Sequence, residues 1–521
     1  MSIKKSGMKL DRRSFLGTSA ALGAAGFFGM PLFAAEAQAQ AKKLIIRVDL
    51  DISILDPGYM VGGSEIETQK ALLPVLVDFE VKDGVFTYRP SIYVEKFEQR
   101  DDTHYDFTLK PGFMWSNGFG EFTAEDVKYS YERMKTTDWK GNFEALDRVE
   151  VTDKYSGTLV LSQAFAPFVM LGLAAGPSAI LCKAAMLKVG EKFTTEIPAT
   201  CGPYVFEWTP KQKLSFKANP DWTGPKPAFE EVEALIIPEA SAAELAYEAG
   251  EVAVTQIAPA THARYVEKMP ENSAIHVAGA LQYMWLGMNT ENPKLADIKV
   301  RQAIQHAIDA DQIIAGAYSG TTEKSNGIIC PGLVGHRKAT KYTFDPAKAK
   351  ALLDEAGVSG LELELKTLNL QERILAAQII QAQLQAIGIT VKVIPVDSGP
   401  FWEMGDQSKG DGYKSLEIWL MRFGTSPDPQ EATTWFTSDQ IGVWNWERWK
   451  SEEYDSLYKQ GVTEADPAKR NEIYLRMQEI MEDTGAYVWI NHEPETFVHR
   501  SDLKISVIAS GEMVVREFVP A

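Results

Sequence analysis

Between Asp297 and Ile314 the chain reads DIKVRQAIQHAIDADQII. Val300, Ile304, Ala307 and Ile308 recur at helical spacing on one stripe, and Arg301, Gln302, Gln305 and His306 fall on the face opposite. Asp309 stands three residues before Gln312, the spacing of a capping box. One amphipathic helix is therefore predicted to end, and a second to begin, within a residue or two. Other phrases carry the same punctuation. TAEDVKYSYERMK opens with Thr123 and has Asp126 three residues on. DPAKAKALLDEAG has Asp345 as cap, Pro346 in the first helical position and Gly357 as stop. ILAAQIIQAQLQAIG ends at Gly388.

Strands show the other period. LELELKTL alternates at every second residue, ITVKVIPV reads as the next strand, and CGPYVFEWTPKQKLSFKANPDW reads as two strands around a TPKQ turn. KKLIIRVDLDISILDPG is a strand closed by the turn at Asp56, Pro57 and Gly58. The strand–helix rhythm from about residue 281 to 489 predicts an α/β unit, distinct from the hairpin-rich part before it.

The length of 521 residues leaves room for two or three domains. A formal net charge of −18 argues against a nucleic-acid partner, which needs clustered lysine and arginine. Acidity also keeps an abundant protein dispersed. Residues 1–41 run from a basic stretch through a Gly- and Ala-rich apolar stretch to small residues in A-x-A spacing, and read as an export signal. Arg12, Arg13, Ser14, Phe15 and Leu16 resemble a twin-arginine signal, from which Asp11 and Gly17 depart. Cleavage is expected after Ala37, Ala39 or Ala41. FAPFVMLGLAAGPSAIL comes closest to a membrane span, but two prolines and two glycines break it, so a buried loop or short helices are expected. Cys182 and Cys201 can pair in an oxidising compartment or stay free, while Cys330 reads as a small buried hydrophobe.

Catalytic signatures are absent from the sequence: there is no G-x-S-x-G, no phosphate loop and no H-E-x-x-H. His492, Glu493, Pro494 and Glu495 read as loop, and Asp49, Asp51 and Ser53 as the end of a strand rather than the start of a calcium loop. No metal or cofactor is expected. Aromatic excess is what stands out. Trp402, Trp419, Trp435, Trp444, Trp446 and Trp449 are half of the twelve tryptophans. Any one of them suits core packing; together they point to a lined cavity.

LKPGFMWSNGFGEFTAEDVKYSYERMK, CGPYVFEWTPKQKLSFKANPDW, GMNTENPKLADIKVRQAIQHAIDADQII, DPAKAKALLDEAG and AKRNEIYLRMQEIMEDTGAYVWI resemble, in order, segments of the family 5 extracytoplasmic solute-binding proteins. These are the dipeptide- and oligopeptide-binding components of ABC importers. The resemblance implies an α/β, two-lobed periplasmic binding protein fold (type II, cluster C-like) with an inserted subdomain. Lobe 1 would combine residues 42–85, 195–280 and 490–521, the insertion would take 86–194, and lobe 2 would take 281–489. Hinge crossings are expected near 282–287 and 486–491. The protein is expected to be a monomer and no enzyme. Its partners would be a small peptide or peptide-like solute and the permease subunits of an ABC transporter.

The same resemblance carries over to single residues. Trp402 matches a pocket tryptophan of the peptide binders. Thr425 in FGTSPDPQ falls where the family has an aspartate that pairs with the peptide ammonium, and a hydroxyl lacks that charge. Arg422 replaces a tryptophan and can either clamp a carboxylate or cover surface. Asp428 can take the ammonium role if the loop shifts, or be a turn residue between two prolines. Trp444, Trp446, Tyr283, Trp285, Glu65 and Asn491 complete the candidate ligand-binding set. The departures raise the alternatives of an opine, an oligosaccharide or another acidic solute. An enzyme, or a holder of a cofactor or metal chelate, is the remaining rival.

Overall fold

The computed structural model describes residues 43–60, 62–174 and 177–521, so the expected export signal lies outside the described residues. Alternating side chains build its first sheet. Lys43–Val48 lies parallel to Glu231–Ile236, with Ile45 opposite Glu233, and Lys213–Ala218 and Tyr204–Thr209 continue antiparallel. Asp51 anchors the chain leaving the first strand, accepting from Trp208 Nε1 at 2.8 Å and Lys211 N at 2.7 Å. A second sheet of four strands joins Val94–Asp101, His104–Leu109, Ser156–Leu161 and Leu146–Val151. One apolar core, running from Leu44 to Ala234 and closed by Phe497, Met513 and Phe518, serves both sheets.

The other lobe is organised by six strands, in the order Glu323–Lys324, Tyr487–His492, Gln282–Met288, Ile418–Gly424, Glu362–Leu368 and Thr390–Val396. Glu362–Leu368 alternates in burial, as its sequence predicts. One face of the sheet packs on Val300, Ile304, Ala377 and Ile380, and the other on a cluster containing Trp285, Trp419 and Tyr487. The cores are separate, and a hairpin of Val77–Lys82 and Val85–Pro90 reaches from the first toward the second, with Phe86 N donating to Gly332 O at 3.1 Å.

The helix pair at the centre forms as Ile298–Ala307 and Ala310–Ala317. Asp309 caps the second by accepting from Asp311 N at 3.0 Å and Gln312 N at 3.4 Å. The return half of the expected box is not made by Gln312, because Asp309 N donates to Gln383 Oε1 at 3.1 Å. The supposed outer face is also corrected, since Arg301, Gln305 and His306 are buried. Arg301 donates to Thr484 O at the end of the helix Pro467–Asp483, and to Leu295 O and Ala296 O. Gln305 donates to Tyr487 O at 2.9 Å, and His306 Nδ1 to Thr343 O at 2.7 Å. A cation among the carbonyls at a helix end is favourable, so the polar face is buried to satisfy backbone rather than left for water.

Thr123 and Asp126 form the capping box their spacing predicts. The broken apolar segment holds a short buried helical turn, Val169–Ala174. No helix of the described residues is long and apolar enough to cross a membrane. Cys182, Cys201 and Cys330 are buried free thiols.

Candidate functional site

Ser273–Val277 and Thr496–Arg500 pair beside the first lobe, while Gln282–Met288 and Tyr487–His492 pair in the second. The chain leaves the ladders only at 278–281 and 493–495. Of the expected hinge segments, 282–287 lies inside the strand Gln282–Met288 and 487–491 inside the strand Tyr487–His492. The tripeptide between His492 and Thr496, read from sequence as plain loop, places two carboxylates at the crossing.

Glu493 joins two arginines. Arg373, with a side chain 3% exposed, lies 2.6 Å from Oε1, and Arg422 Nη1 donates to Oε2 at 3.1 Å. Arg373 Nη1 also donates to Tyr318 Oη at 2.6 Å, which fixes the deeper cation. Glu495 accepts from Gln282 Nε2 at 2.5 Å and from Gln256 Nε2, and Gln282 Oε1 in turn accepts from Arg422 Nη1. Gln256 and Gln282 belong to different lobes, so the carboxylate ties both sides to the crossing. Burial pushes the Glu495 carboxyl up to about 7.

This network lines a cavity of about 420 Å³ with Arg47, Asp49, Glu372 and Thr321. Arg47, Asp49, Gln256 and Glu495 also line a neighbouring space of about 250 Å³, which reaches Glu67 and Glu512. Burial raises Glu67 to about 8, opposed by the bond from Met513 N. Glu67 is therefore the protonated acid at neutral pH, while Asp49, Glu372 and Glu512 bring carboxylates to the paired spaces, an environment that complements a cation. A further cavity of about 570 Å³ lies where Trp139, Asn142 and Phe165 face Ser426, Trp435 and Tyr458. There Ala166 N donates to Val462 O at 2.9 Å, joining the lobes again.

The tryptophans divide by burial. Trp402, Trp435 and Trp444 are half-buried around Phe423: Trp402 stacks on its ring at 6.3 Å, and Trp435 and Trp444 meet it edge-on at 6.4 and 5.8 Å. Trp402 Nε1 donates to Ser398 Oγ at 3.2 Å. Trp285, Trp446 and Trp419 are buried in the core, as is Tyr283. Trp285 Nε1 donates to Glu447 Oε1 at 2.7 Å, Trp446 Nε1 to Val443 O at 2.9 Å, and Tyr283 Oη to Ala432 O at 3.4 Å. Gly287 and Gly405 leave room for Trp419 and Trp446, since a Cβ at either would strike the indole.

The remaining candidates have internal partners. Asp428 takes Arg470 bidentately at 2.8 and 2.7 Å and caps Pro429–Thr434. Glu65 accepts from Ser53 N at 2.9 Å and Ser53 Oγ at 3.0 Å. Asn491 donates to Thr322 Oγ1 at 3.0 Å. Thr425 is buried, with its N–H on Leu281 O and its hydroxyl on Ser426 O. Only Arg422 of the candidate set lines the cavity at the crossing. The sequence reading missed Glu493, Glu495, Gln256, Gln282 and Arg373. One signal was present: a Glu-Pro-Glu phrase directly after the strand YVWINH.

The fold is shared with solved proteins. The ABC transporter substrate-binding protein CtaP of Listeria monocytogenes superposes with a TM-score of 0.80 at 23% identity, over 92% of this chain and 99% of that one. DppA of Helicobacter pylori, in complex with the peptide STSA, gives 0.70 at 24% identity over 93% and 99%. The dipeptide-binding protein of Escherichia coli is 25% identical over 508 residues, 91% of this chain and 93% of that protein. Residues 87–444 match the middle region of the bacterial extracellular solute-binding proteins, family 5. The chain, two-lobed and with a charged cavity at its interlobe crossing, belongs to that family.

Proposed function

We propose that the protein is the periplasmic solute-binding component of an ABC importer, and that it captures a peptide or peptide-like solute between its lobes and hands it unaltered to the membrane permease. The observation that carries this reading is an acidic cavity at the interlobe crossing, lined by Asp49, Glu372 and Glu495, in a chain that also leaves Trp402, Trp435 and Trp444 half-buried rather than sealed in the core. A short peptide offers the complement: an ammonium for the carboxylates and side chains for the rings. Thr425 need not supply a charge, because the carboxylates at the crossing do. The names of the dipeptide-binding relative and of the peptide-bound DppA point the same way. Export by a twin-arginine type of signal at residues 1–41, a monomeric state and the lobe boundaries 42–85, 86–194, 195–280, 281–489 and 490–521 are parts of the same proposal.

An opine or other acidic solute is the second reading, and Arg422 favours it. Its side chain is 40% exposed, and only Nη1 is engaged by the protein. The free edge of the guanidinium fits a carboxylate.

A thermal-shift and calorimetric panel of dipeptides, tripeptides, their N-acetylated forms, opines and oligosaccharides tests the proposal. A ligand at a hundred times its Kd stabilises by about 2.7 kcal/mol. Free-ammonium peptides are expected to stabilise and acetylated ones not. Binding confined to opines would replace the first reading with the second, and conversion of a bound solute into product would overturn both.

A further inference from the structure

A cavity of about 670 Å³ lies behind the crossing, on the face opposite the acidic space. Side-chain alternation establishes this. Along 492–495, His492 and Pro494 line the rear cavity, and Glu493 and Glu495 line the acidic one. Pro494 and Thr321 reach both and mark the boundary. The other crossing divides in the same way, with 276–280 at the rear and Gln282 in front. The rear walls come from both lobes: Phe79, Val81 and Phe86 of the hairpin from the first, and Glu323, Pro331 and Gly332 from the second.

A rotation about segments that separate two spaces widens one as it narrows the other. Opening the cleft therefore drives the 331–332 turn toward the hairpin. Little room is left there. A Cβ at Gly332 would stand 3.0 Å from Phe86 Cε1 and from Gly84 O, and one at Gly279 would stand 2.8 Å from Phe86 Cζ. The Phe86 ring thus takes the place of two missing side chains, one on the crossing and one on the opposite lobe. Gly332, with a φ of 87°, is a glycine for its backbone as well. Phe79 braces Phe86 from the same hairpin, ring to ring at 5.4 Å, and the Phe86 N–H donates to Gly332 O at 3.1 Å. Both rings also pack on the core of the second lobe. Groups already in contact compress very little, so the ring resists further approach.

We infer that Phe86 is a rear stop: wedged between Gly279 and Gly332, its ring limits how far the lobes open, and so tunes the affinity of the cleft from outside it. A chain that opens less has less closing to do when a solute arrives, and apparent affinity falls as the closed state becomes rarer. Phe86 lines none of the three spaces in front of the crossing, so it is a positioning residue and not a contact for the solute. The stop depends on the two lobes and not on the identity of the solute, and it stands whichever reading of the cleft holds.

Pulsed electron–electron resonance on the full chain without solute tests the inference. Leu245→Cys and Leu375→Cys place spin labels at exposed sites on the helices Ala240–Glu248 and Gln371–Ala386, whose first turns line the acidic cavity from opposite lobes. The three native cysteines are buried and stay unlabelled. Phe86→Ala is expected to lengthen the label separation by several ångströms and to broaden its distribution. Val81→Trp, at a position 52% exposed in the rear wall, adds bulk behind the crossing and is expected to shorten the separation. Lost packing alone would not move the two variants in opposite directions. Val81→Trp leaves the core untouched and decides the matter by itself where Phe86→Ala does not fold. A separation equal to the parent's in either folded variant, or shifts of the same sign in both, would overturn the inference.

Discussion

Two arginine–carboxylate groups, one inside the second lobe and one at the chain crossing, differ in what they leave unused. At Asp428 and Arg470 everything is spoken for. Both carboxylate oxygens take the guanidinium, Oδ1 also caps Pro429–Thr434, and Arg470 Nε donates to Gly461 O at 2.8 Å. The side chains are 4% and 9% exposed. At Arg422 and Glu493 the pair is 40% and 14% exposed, lines a cavity, and is linked through Gln282 to Glu495. The first group is complete without a solute; the second has donor and acceptor capacity turned toward space. Both join a guanidinium to a carboxylate, and spare capacity separates a structural pair from a binding one.

The largest effect is expected at the sealed pair. Arg470→Met leaves a buried carboxylate alone and should cost about 3–5 kcal/mol in urea unfolding. Solute affinity of the folded fraction should not change; a variant of normal stability would remove the contrast. Next is the open side. Trp402→Ala is expected to weaken the cleft solute by roughly tenfold or more while altering stability by less than about 1 kcal/mol. Titrations that match the parent protein would take the indole out of the site. Arg422→Gln separates the two solute classes: anionic ligands should weaken several-fold more than neutral or cationic ones, and equal losses would end the carboxylate-clamp reading.

A smaller, pH-dependent effect sharpens the same comparison. Glu495 is held at about 7, above the ordinary 4.5, so the folded chain keeps a proton that the unfolded chain has released. Its contribution to stability is therefore greatest at low pH and is lost as pH rises from about 4.5 through 7. Glu495→Gln should flatten that part of the stability profile. A cationic solute favours the ionised carboxyl, so binding near pH 6.5 is expected to release protons, read as buffer-dependent heats. Proton uptake, or no dependence on buffer, would place the solute's charge elsewhere. The smallest effect is local: Thr123→Ala removes one cap of the Ala124–Met134 helix, far from any solute, and should cost about 1 kcal/mol in urea unfolding with no change in binding.

What was legible in the sequence follows the range of the interactions. Thr123 with Asp126, and the Asp309 cap, involve residues three apart, and spacing alone identified them. Arg301 and Gln305 were assigned to water because their acceptors, Thr484 and Tyr487, lie more than 180 residues on, beyond the reach of any periodicity. The tryptophan excess was visible, but which indole packs and which stays half-open depends on neighbours such as Gly405, which admits Trp446. Glu493 and Glu495 were passed over for the same reason. Their partners Arg422, Arg373, Gln282 and Gln256 stand 71, 120, 213 and 239 residues away.

Besides the two chain crossings, the lobes are joined through backbone by the bonds from Phe86 to Gly332 and from Ala166 to Val462. A net hydrogen bond is worth about 0.5–1.5 kcal/mol, little more than thermal energy. Such clasps part readily on their own. How long a passenger stays aboard is then decided by its own grip on the rings and charges, so the protein needs no external motor to release a poor fit and can hold a good one until it docks.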